Sequence, residues 1–465
     1  MVSESNGGIP PAQELETFLP RDEKNKEKIV SQYNMSKDAE ASDFDPFAER
    51  KLDKPTSNMD TLTHLLKASL GTGILAMPKA FQCSGLILGI FFTILVAVIC
   101  THCAYVLIKC AHVLYKKTRR THMSFPDVAE AAFDNGPEWI RKWSNAFRIF
   151  ILVSLFATYF GTCSVYTVII AENISAVVKS HSGEMSIRLY IVTLLPPLIL
   201  MSWIRNLKYL APVSMIANIF MGAGLGITFY FLVGTSPLNM DDVSKAKNIM
   251  EWPTFFALTI FAMEAIGVVM PLENAMKTPR SMLGICGVLN RGMSGVTLVY
   301  ILLGFLGYLR YGESVKDSIT LNLTQEGDSE IHKILGEIVQ ISIAIAVYCT
   351  FGLQFFVCVE IVWNWMKDKF TKRPDLADYV MRTILTTVCV MLAVAVPNIA
   401  PFMSVIGAFC FSILGLIVPA IIEVITYWDI GFGPCQYLIW KNILVTIFGV
   451  FALVFGTKDA ILSIP

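Results

Sequence analysis

The sequence predicts an all-α polytopic membrane protein of about 11 transmembrane helices. Two inverted repeats of five spans are expected, followed by one additional C-terminal span. Hydrophobic residues make up 54% of the 465 positions and charged residues only 16%, which excludes an ordinary soluble enzyme. Apolar runs of about 20 residues, long enough to cross the hydrocarbon core, recur along the chain. Two of these runs are interrupted by glycine and proline at corresponding positions of the two halves, and this pairing predicts the repeat.

The predicted domain boundary lies between residues 57 and 58. Residues 1–57 show no apolar periodicity and are rich in charged residues, Ser and Asn, so we expect a disordered cytosolic tail. Residues 58–465 are predicted to form the transmembrane domain. The predicted spans lie near residues 61–78, 86–108, 147–172, 187–204, 209–233, 254–275, 284–307, 335–364, 380–396, 400–424 and 437–457.

The orientation follows from the basic residues of the short loops. Lys and Arg are concentrated in the loops after spans two, four, six and eight. Cytosolic loops carry such an excess, so the N-terminus is predicted inside and, after an odd number of spans, the C-terminus outside. The sequons at Asn173 and Asn322 then lie outside, and we expect both asparagines to be glycosylated.

The first span is predicted to be a broken helix. Gly71, Thr72 and Gly73 interrupt it, and Pro78 follows. Two glycines cost roughly 2 kcal/mol in helix propensity, and proline removes a backbone donor. Unwound backbone at membrane depth is tolerated only where protein or a watery cavity satisfies its polar groups. The break is therefore either a binding site or a kink that serves helix packing.

A second break in span six favours the binding site over the kink. Gly267 is followed by two aliphatic residues and then by Met270 and Pro271. This repeats the pattern between Gly73 and Pro78. Paired interruptions in two inverted halves indicate the binding site of a secondary transporter near the midplane. The residues predicted to line this site are Gly71, Thr72, Gly73 and Ile74 in span one and Phe261, Glu264, Ile266 and Gly267 in span six.

Two titratable residues near the breaks are candidates for coupling transport to protons. His64 shares a helix face with Ala68 and Gly71, and its ordinary pKa of about 6.5 suits a proton acceptor at mildly acidic pH. Glu264 would be expensive to ionise at membrane depth, which is typical of functional carboxylates. The structural alternatives are a histidine that is bonded to a neighbouring helix and a carboxyl that caps its own broken helix.

From about Asp60 onward, the chain resembles the proton-coupled amino acid transporters of the amino acid/auxin permease superfamily. The resemblance implies a LeuT-like fold with one appended span. It also implies symport of small neutral amino acids with protons, at the plasma membrane or, alternatively, at lysosomal or endosomal membranes. The family's coupling histidine matches His64. The motifs that carry the resemblance are Thr63-His-Leu-Leu-Lys67, Gly71-Thr-Gly73, Lys109-Cys-Ala-His112, Ile204-Arg-Asn-Leu207, Pro271-Leu-Glu-Asn274, Ser318-Ile-Thr-Leu-Asn-Leu323 and Ile422-Glu-Val424.

The expected function is therefore proton-driven transport of amino acids of the glycine, alanine and proline class. The substrate carboxylate would accept bonds from amides at Gly71–Gly73, and its ammonium would face carbonyls of span six. We expect no metal, no nucleic acid and no cofactor besides protons, and the sequence has no Walker A loop that would indicate ATP. Two alternatives stay open: a sodium-coupled symporter of the same fold, and an amino acid-sensing receptor with little flux.

Overall fold

The structure, a computed structural model, describes residues 44–52, 55–183, 185–205, 207–234, 243–263, 265–323, 330–367 and 373–463. Within these ranges, nine helices are long and apolar enough to cross a membrane. The shorter apolar stretch Ile187–Ser202 and the broken helix at residues 58–84 bring the spans to eleven. The prediction of an all-α membrane protein with about 11 spans is confirmed.

The first five spans have the following bounds. Span one contains α1 (Asn58–Ser69), a 3-10 turn (Thr72–Ala76) and α2 (Met77–Ser84), and span two is α3 (Leu86–Thr118). The loop after span two holds α4 (Phe125–Asp134) and α5 (Glu138–Arg141). Span three is α6 (Ser144–Ser182), span four is α7 (Ile187–Thr193) with α8 (Leu195–Ser202), and span five is α9 (Leu207–Gly234).

The second half continues with the same arrangement. Span six contains α10 (Trp252–Ala262) and α11 (Ile266–Ala275), span seven is α12 (Val288–Tyr311), span eight is α13 (Glu330–Met366) and span nine is α14 (Pro374–Ala395). Span ten joins α15 (Ile399–Val405), a π-helical stretch (Ile406–Ile417) and α16 (Val418–Thr426). Span eleven joins α17 (Tyr437–Phe451), a short π-helical stretch (Ala452–Gly456) and α18 (Thr457–Leu462).

Corresponding spans of the two halves pack against each other. Span one contacts span six, span three contacts span eight, and span four contacts span nine. Spans one, two, six and seven form one group around the two breaks, and spans three, four, five, eight and nine form a second group beside it. The partners in these three contacts lie five spans apart in sequence, which is the spacing of a five-plus-five repeat.

The structure describes residues 44–52 and 55–57 of the predicted tail. Thr56 is only 2% exposed and forms an isolated parallel bridge with Met276. The Arg50 side chain is 3% exposed and bonds to Glu273. The packed structure therefore begins before residue 58, because this segment finds hydrogen-bond partners on span six. Residues 1–43, for which disorder was predicted, lie outside the described residues.

The structure describes the surroundings of the two asparagines for which glycosylation is predicted. Asn173 lies inside α6, is 0% exposed and donates to the carbonyl of Ile169, one turn earlier. Asn322 is 2% exposed; its amide group donates to Ser314 O and its side-chain oxygen accepts from the Lys316 amide. Both side chains are thus buried and bonded locally, and their glycosylation stays a prediction.

Candidate functional site

The first helix breaks where the glycines predicted it. α1 ends at Ser69, and Leu70 and Gly71 depart from helical geometry before the 3-10 turn begins at Thr72. Gly71 is half-buried, whereas Thr72, Gly73 and Ile74 are buried. Span one therefore consists of two half-helices, and the four predicted residues lie at their junction.

The second break lies closer to the N-terminus of span six than the glycine that predicted it. α10 ends at Ala262, and α11 begins at Ile266. Phe261 is therefore the penultimate residue of one half-helix, while Ile266 and Gly267 form the first turn of the other. All three are buried. Gly267 therefore lies in the helix that follows the break rather than in the break itself.

The two breaks meet. A Cβ atom built on Gly73 would lie 2.5 Å from Ala262 Cα and 2.9 Å from Ala262 Cβ. Real Cβ contacts are not this short, so the backbones approach as closely as they do only because residue 73 has no side chain. The unwound part of span one is thus held directly against the end of α10.

The junction leaves backbone donors available. The amides of Gly71, Thr72 and Gly73 donate no hydrogen bond to any residue that the structure describes, and the nearest amide, that of Ile74, makes a 3.4 Å bond to Gly71 O. Such amides at the start of a helix favour an anion. In the same described ranges, no three His, Cys, Asp or Glu side chains are grouped so that they could hold a metal ion.

Tyr300 is a residue at the junction that the sequence analysis missed. It lies in α12 of span seven and is 0% exposed. Its hydroxyl lies 2.5 Å from Ser69 O and 2.9 Å from Ala262 O, the last carbonyls of α1 and α10. The sequence did contain a signal, because a tyrosine hydroxyl inside an apolar span must find an acceptor.

The structure describes one of the two residues that were predicted to couple transport to protons. His64 lies in α1 and is partly exposed. Gly71 lies seven positions further along the chain, which corresponds to roughly 10 Å along the helix axis. His64 therefore lies in the helix before the junction rather than in the junction itself. Glu264 lies outside the described residues.

The junction is covered on the side that the loop charges predict to be external. The 3-10 turn Ile319–Leu321, in the loop between spans seven and eight, packs on the 3-10 turn of span one, and Ile319 is 0% exposed. Lys247, in the loop before span six, bonds to Glu313 at 2.7 Å, and this salt bridge raises the pKa of the lysine.

The junction is covered on the opposite side as well, the one predicted to face the cytosol. Glu273, near the end of α11, is 0% exposed and accepts bonds from Arg50 (3.3 Å), from Tyr115 (2.8 Å) and, where the ring nitrogen carries its proton, from His112 (3.0 Å). Arg50 also donates to Glu273 O at 3.0 Å and to Thr121 O at 2.8 Å. We call Arg50, Glu273, His112 and Tyr115 the cytosolic cluster. It joins the N-terminal segment, span two and span six.

Comparison with known proteins relates this geometry to a family. Residues 54–462 match the family model described as "Transmembrane amino acid transporter protein". The chain is 58% identical over 457 residues to the proton-coupled amino acid transporter-like protein pathetic of Drosophila melanogaster, covering 97% of this chain and 95% of that protein. It is 24% identical to the probable amino acid transporter skat-1 of Caenorhabditis elegans, covering 88% and 90%.

Solved structures support the fold assignment. Mhp1, a nucleobase-cation-symport-1 family transporter in a closed conformation with bromovinylhydantoin bound, aligns with a TM-score of 0.55 at 11% identity, covering 90% of this chain and 92% of its own. A Na⁺-coupled sialic acid symporter in a substrate-bound outward-open state aligns with a TM-score of 0.51 at 12% identity, covering 99% of both chains. These similarities confirm the LeuT-like fold. Together with the family match, they establish that the chain belongs to the transmembrane amino acid transporter protein family.

Proposed function

We propose that this protein is a symporter that carries small neutral amino acids of the glycine, alanine and proline class together with protons. The observation that carries the proposal is the contact between Gly73 and Ala262, which joins the broken parts of two inverted spans. Secondary transporters bind their substrates at such junctions. The name of the fruit fly relative, a proton-coupled amino acid transporter-like protein, supports an amino acid as the substrate and the proton as the coupling ion.

The chemistry of the junction supports an amino acid as the ligand. The amides of Gly71–Gly73 offer donors to a carboxylate, at the positive end of a half-helix. Carbonyls at the end of α10 offer acceptors to an ammonium. Phe261 and Ile266, which are 7% and 4% exposed, are apolar residues beside these groups. We propose that they form walls that favour a short side chain.

Alternating access follows from the covers on both sides of the junction. The loop that contains Ile319 closes the external side, and the cytosolic cluster closes the internal side. Each must open in turn for a solute to cross.

The driving energy from protons is sufficient: one pH unit supplies about 1.4 kcal/mol, and 100 mV supplies about 2.3 kcal/mol per charge. Together they permit roughly several-hundred-fold accumulation of a neutral substrate.

Uptake by the purified protein in liposomes tests this proposal. Radiolabelled glycine, alanine and proline are supplied at acidic and neutral external pH, with sodium chloride or with choline chloride. We expect accumulation at acidic pH that does not change when choline replaces sodium. Accumulation that requires sodium would identify the sodium-coupled alternative. Saturable binding without accumulation would identify the receptor alternative.

Replacing His64 with alanine is expected to abolish the stimulation of uptake by acidic pH, because the imidazole is proposed to carry the coupled proton. Surface labelling checks that the variant reaches its membrane. His181→Ala is the matched control, since that side chain is 60% exposed near the end of α6, and it should retain the pH response. Normal acid stimulation in His64→Ala would contradict the assignment and make Glu264 the leading candidate.

For the location we propose the plasma membrane, with lysosomal or endosomal membranes as the alternative. In either membrane, the charge asymmetry of the loops orients the loop between spans seven and eight away from the cytosol, so its exposure at the cell surface distinguishes the two locations. An epitope inserted between residues 323 and 330 is expected to bind antibody on intact cells. Labelling that appears only after permeabilisation, in vesicles that carry a lysosomal marker, would favour the alternative.

A further inference from the structure

Tyr300 connects the ends of both broken helices through one hydroxyl group. Ser69 is the last residue of α1 and Ala262 is the last residue of α10. Their carbonyls have no following helical amide to accept from. The Tyr300 hydroxyl lies within hydrogen-bond distance of both, at 2.5 and 2.9 Å. Since a hydroxyl has a single proton, the two carbonyl oxygens share it.

The partial charges of the two helix ends at the Tyr300 hydroxyl favour a positively charged partner. The C-terminus of a helix carries roughly half a negative charge, and here two such ends converge in a buried environment. In transporters with broken helices, half-helix C-termini and unwound carbonyls coordinate the Na⁺ or H⁺ that drives transport. In this protein the positive end of the Tyr300 O–H bond points to the carbonyls instead.

Ser69 carries a second oxygen, that of its side chain. The Ser69 hydroxyl is buried, in a residue that is 2% exposed, and among the described residues it has no hydrogen-bond partner. Without the Tyr300 hydroxyl, the carbonyl oxygens of Ser69 and Ala262 would be left facing the vacated space. A set of neutral oxygens of this kind suits a hard monovalent cation such as sodium.

We propose that the Tyr300 hydroxyl occupies the position of a coupling metal cation between the two half-helix ends, and thereby makes transport independent of sodium. The inference rests on the proposed function, because it concerns the ion that drives the same site. Tyr300 acts as a positioning residue: it holds the carbonyl ends of α1 and α10 together, and the substrate binds at the junction that they form.

The competing explanation is that Tyr300 only contributes to packing. Tyr308 provides a matched control, because it lies in the same helix, is also 0% exposed and donates to Glu313 at 3.1 Å, away from the junction. Tyr300→Phe and Tyr308→Phe each remove one buried hydroxyl and one set of hydrogen bonds. A packing role predicts the same kind of effect for both variants, whereas the proposed role predicts a sodium response for Tyr300→Phe alone.

Alanine uptake into liposomes, with sodium chloride or choline chloride outside, distinguishes the two explanations. Wild type and Tyr308→Phe should be indifferent to the exchange. In choline, Tyr300→Phe should lose up to about tenfold in apparent affinity, the value of one net hydrogen bond, and sodium should restore part of the loss. Sodium indifference in Tyr300→Phe, or sodium stimulation in the wild type, would overturn the proposal.

A second measurement keeps the test independent of transport. Sodium that binds the folded Tyr300→Phe protein must raise its melting temperature in detergent relative to choline. We expect this shift in Tyr300→Phe and not in the wild type or Tyr308→Phe, and its absence would refute the cation position. If the wild type accumulates no amino acid under a proton gradient, the proposed function fails, but the melting temperatures still decide what occupies this point.

Discussion

Uptake is expected to fall roughly 100-fold when Gly73 is replaced by alanine, because the added methyl group would overlap Ala262 and force the two breaks apart. A displacement of about 1 Å at a binding site has consequences of this size. Gly73→Val, with a larger side chain, should abolish uptake. The measurement is the initial rate of radiolabelled alanine uptake, normalised to the amount of protein at the membrane surface.

Gly226→Ala is the matched control for this variant. Gly222 and Gly226 have GxxxG spacing, which is typical of close helix contacts, yet a Cβ atom on either glycine would meet no atom of the described residues within 4 Å. The control should therefore transport normally. Wild-type rate and apparent affinity in Gly73→Ala would mean that the break is only a kink, and that the substrate binds elsewhere.

Replacing Arg50 with alanine is expected to destabilise the folded protein by about 3–5 kcal/mol, because it leaves the Glu273 carboxylate buried without its cationic partner. The two side chains are only 3% and 0% exposed. The expected result is a marked fall in the melting temperature of the detergent-solubilised protein. It should also loosen the N-terminal segment, which reaches the cytosolic cluster through this residue.

Two further variants make the Arg50 experiment specific. Arg280→Ala removes a solvent-exposed ion pair with Asp45, and exposed pairs of this kind contribute at most about 1 kcal/mol. The double variant Arg50→Met/Glu273→Gln removes both charges and should recover much of the lost stability. An unchanged melting temperature in Arg50→Ala would show that the buried pair contributes nothing to the fold.

The sequence alone determined the number, order and type of the helices. Length and apolar composition were sufficient for this, because the transfer of a helix into hydrocarbon depends mainly on its own residues. It also determined the first break, since the preference of Gly71 and Gly73 against helix is local. For the second break, the same local signal located α11 but not the gap before it, because Gly267 is tolerated in a first helical turn.

Only the tertiary structure decided which groups meet at the junction. Tyr300 and Ser69 are 231 residues apart in sequence, and no local pattern relates them. The structure also buried Asn173 and Asn322, left open space around Gly226, and brought Arg50 from the predicted tail to Glu273. Helix formation depends on neighbours along the chain, whereas burial and hydrogen-bond pairing depend on how the spans pack. That packing is a property of the whole fold.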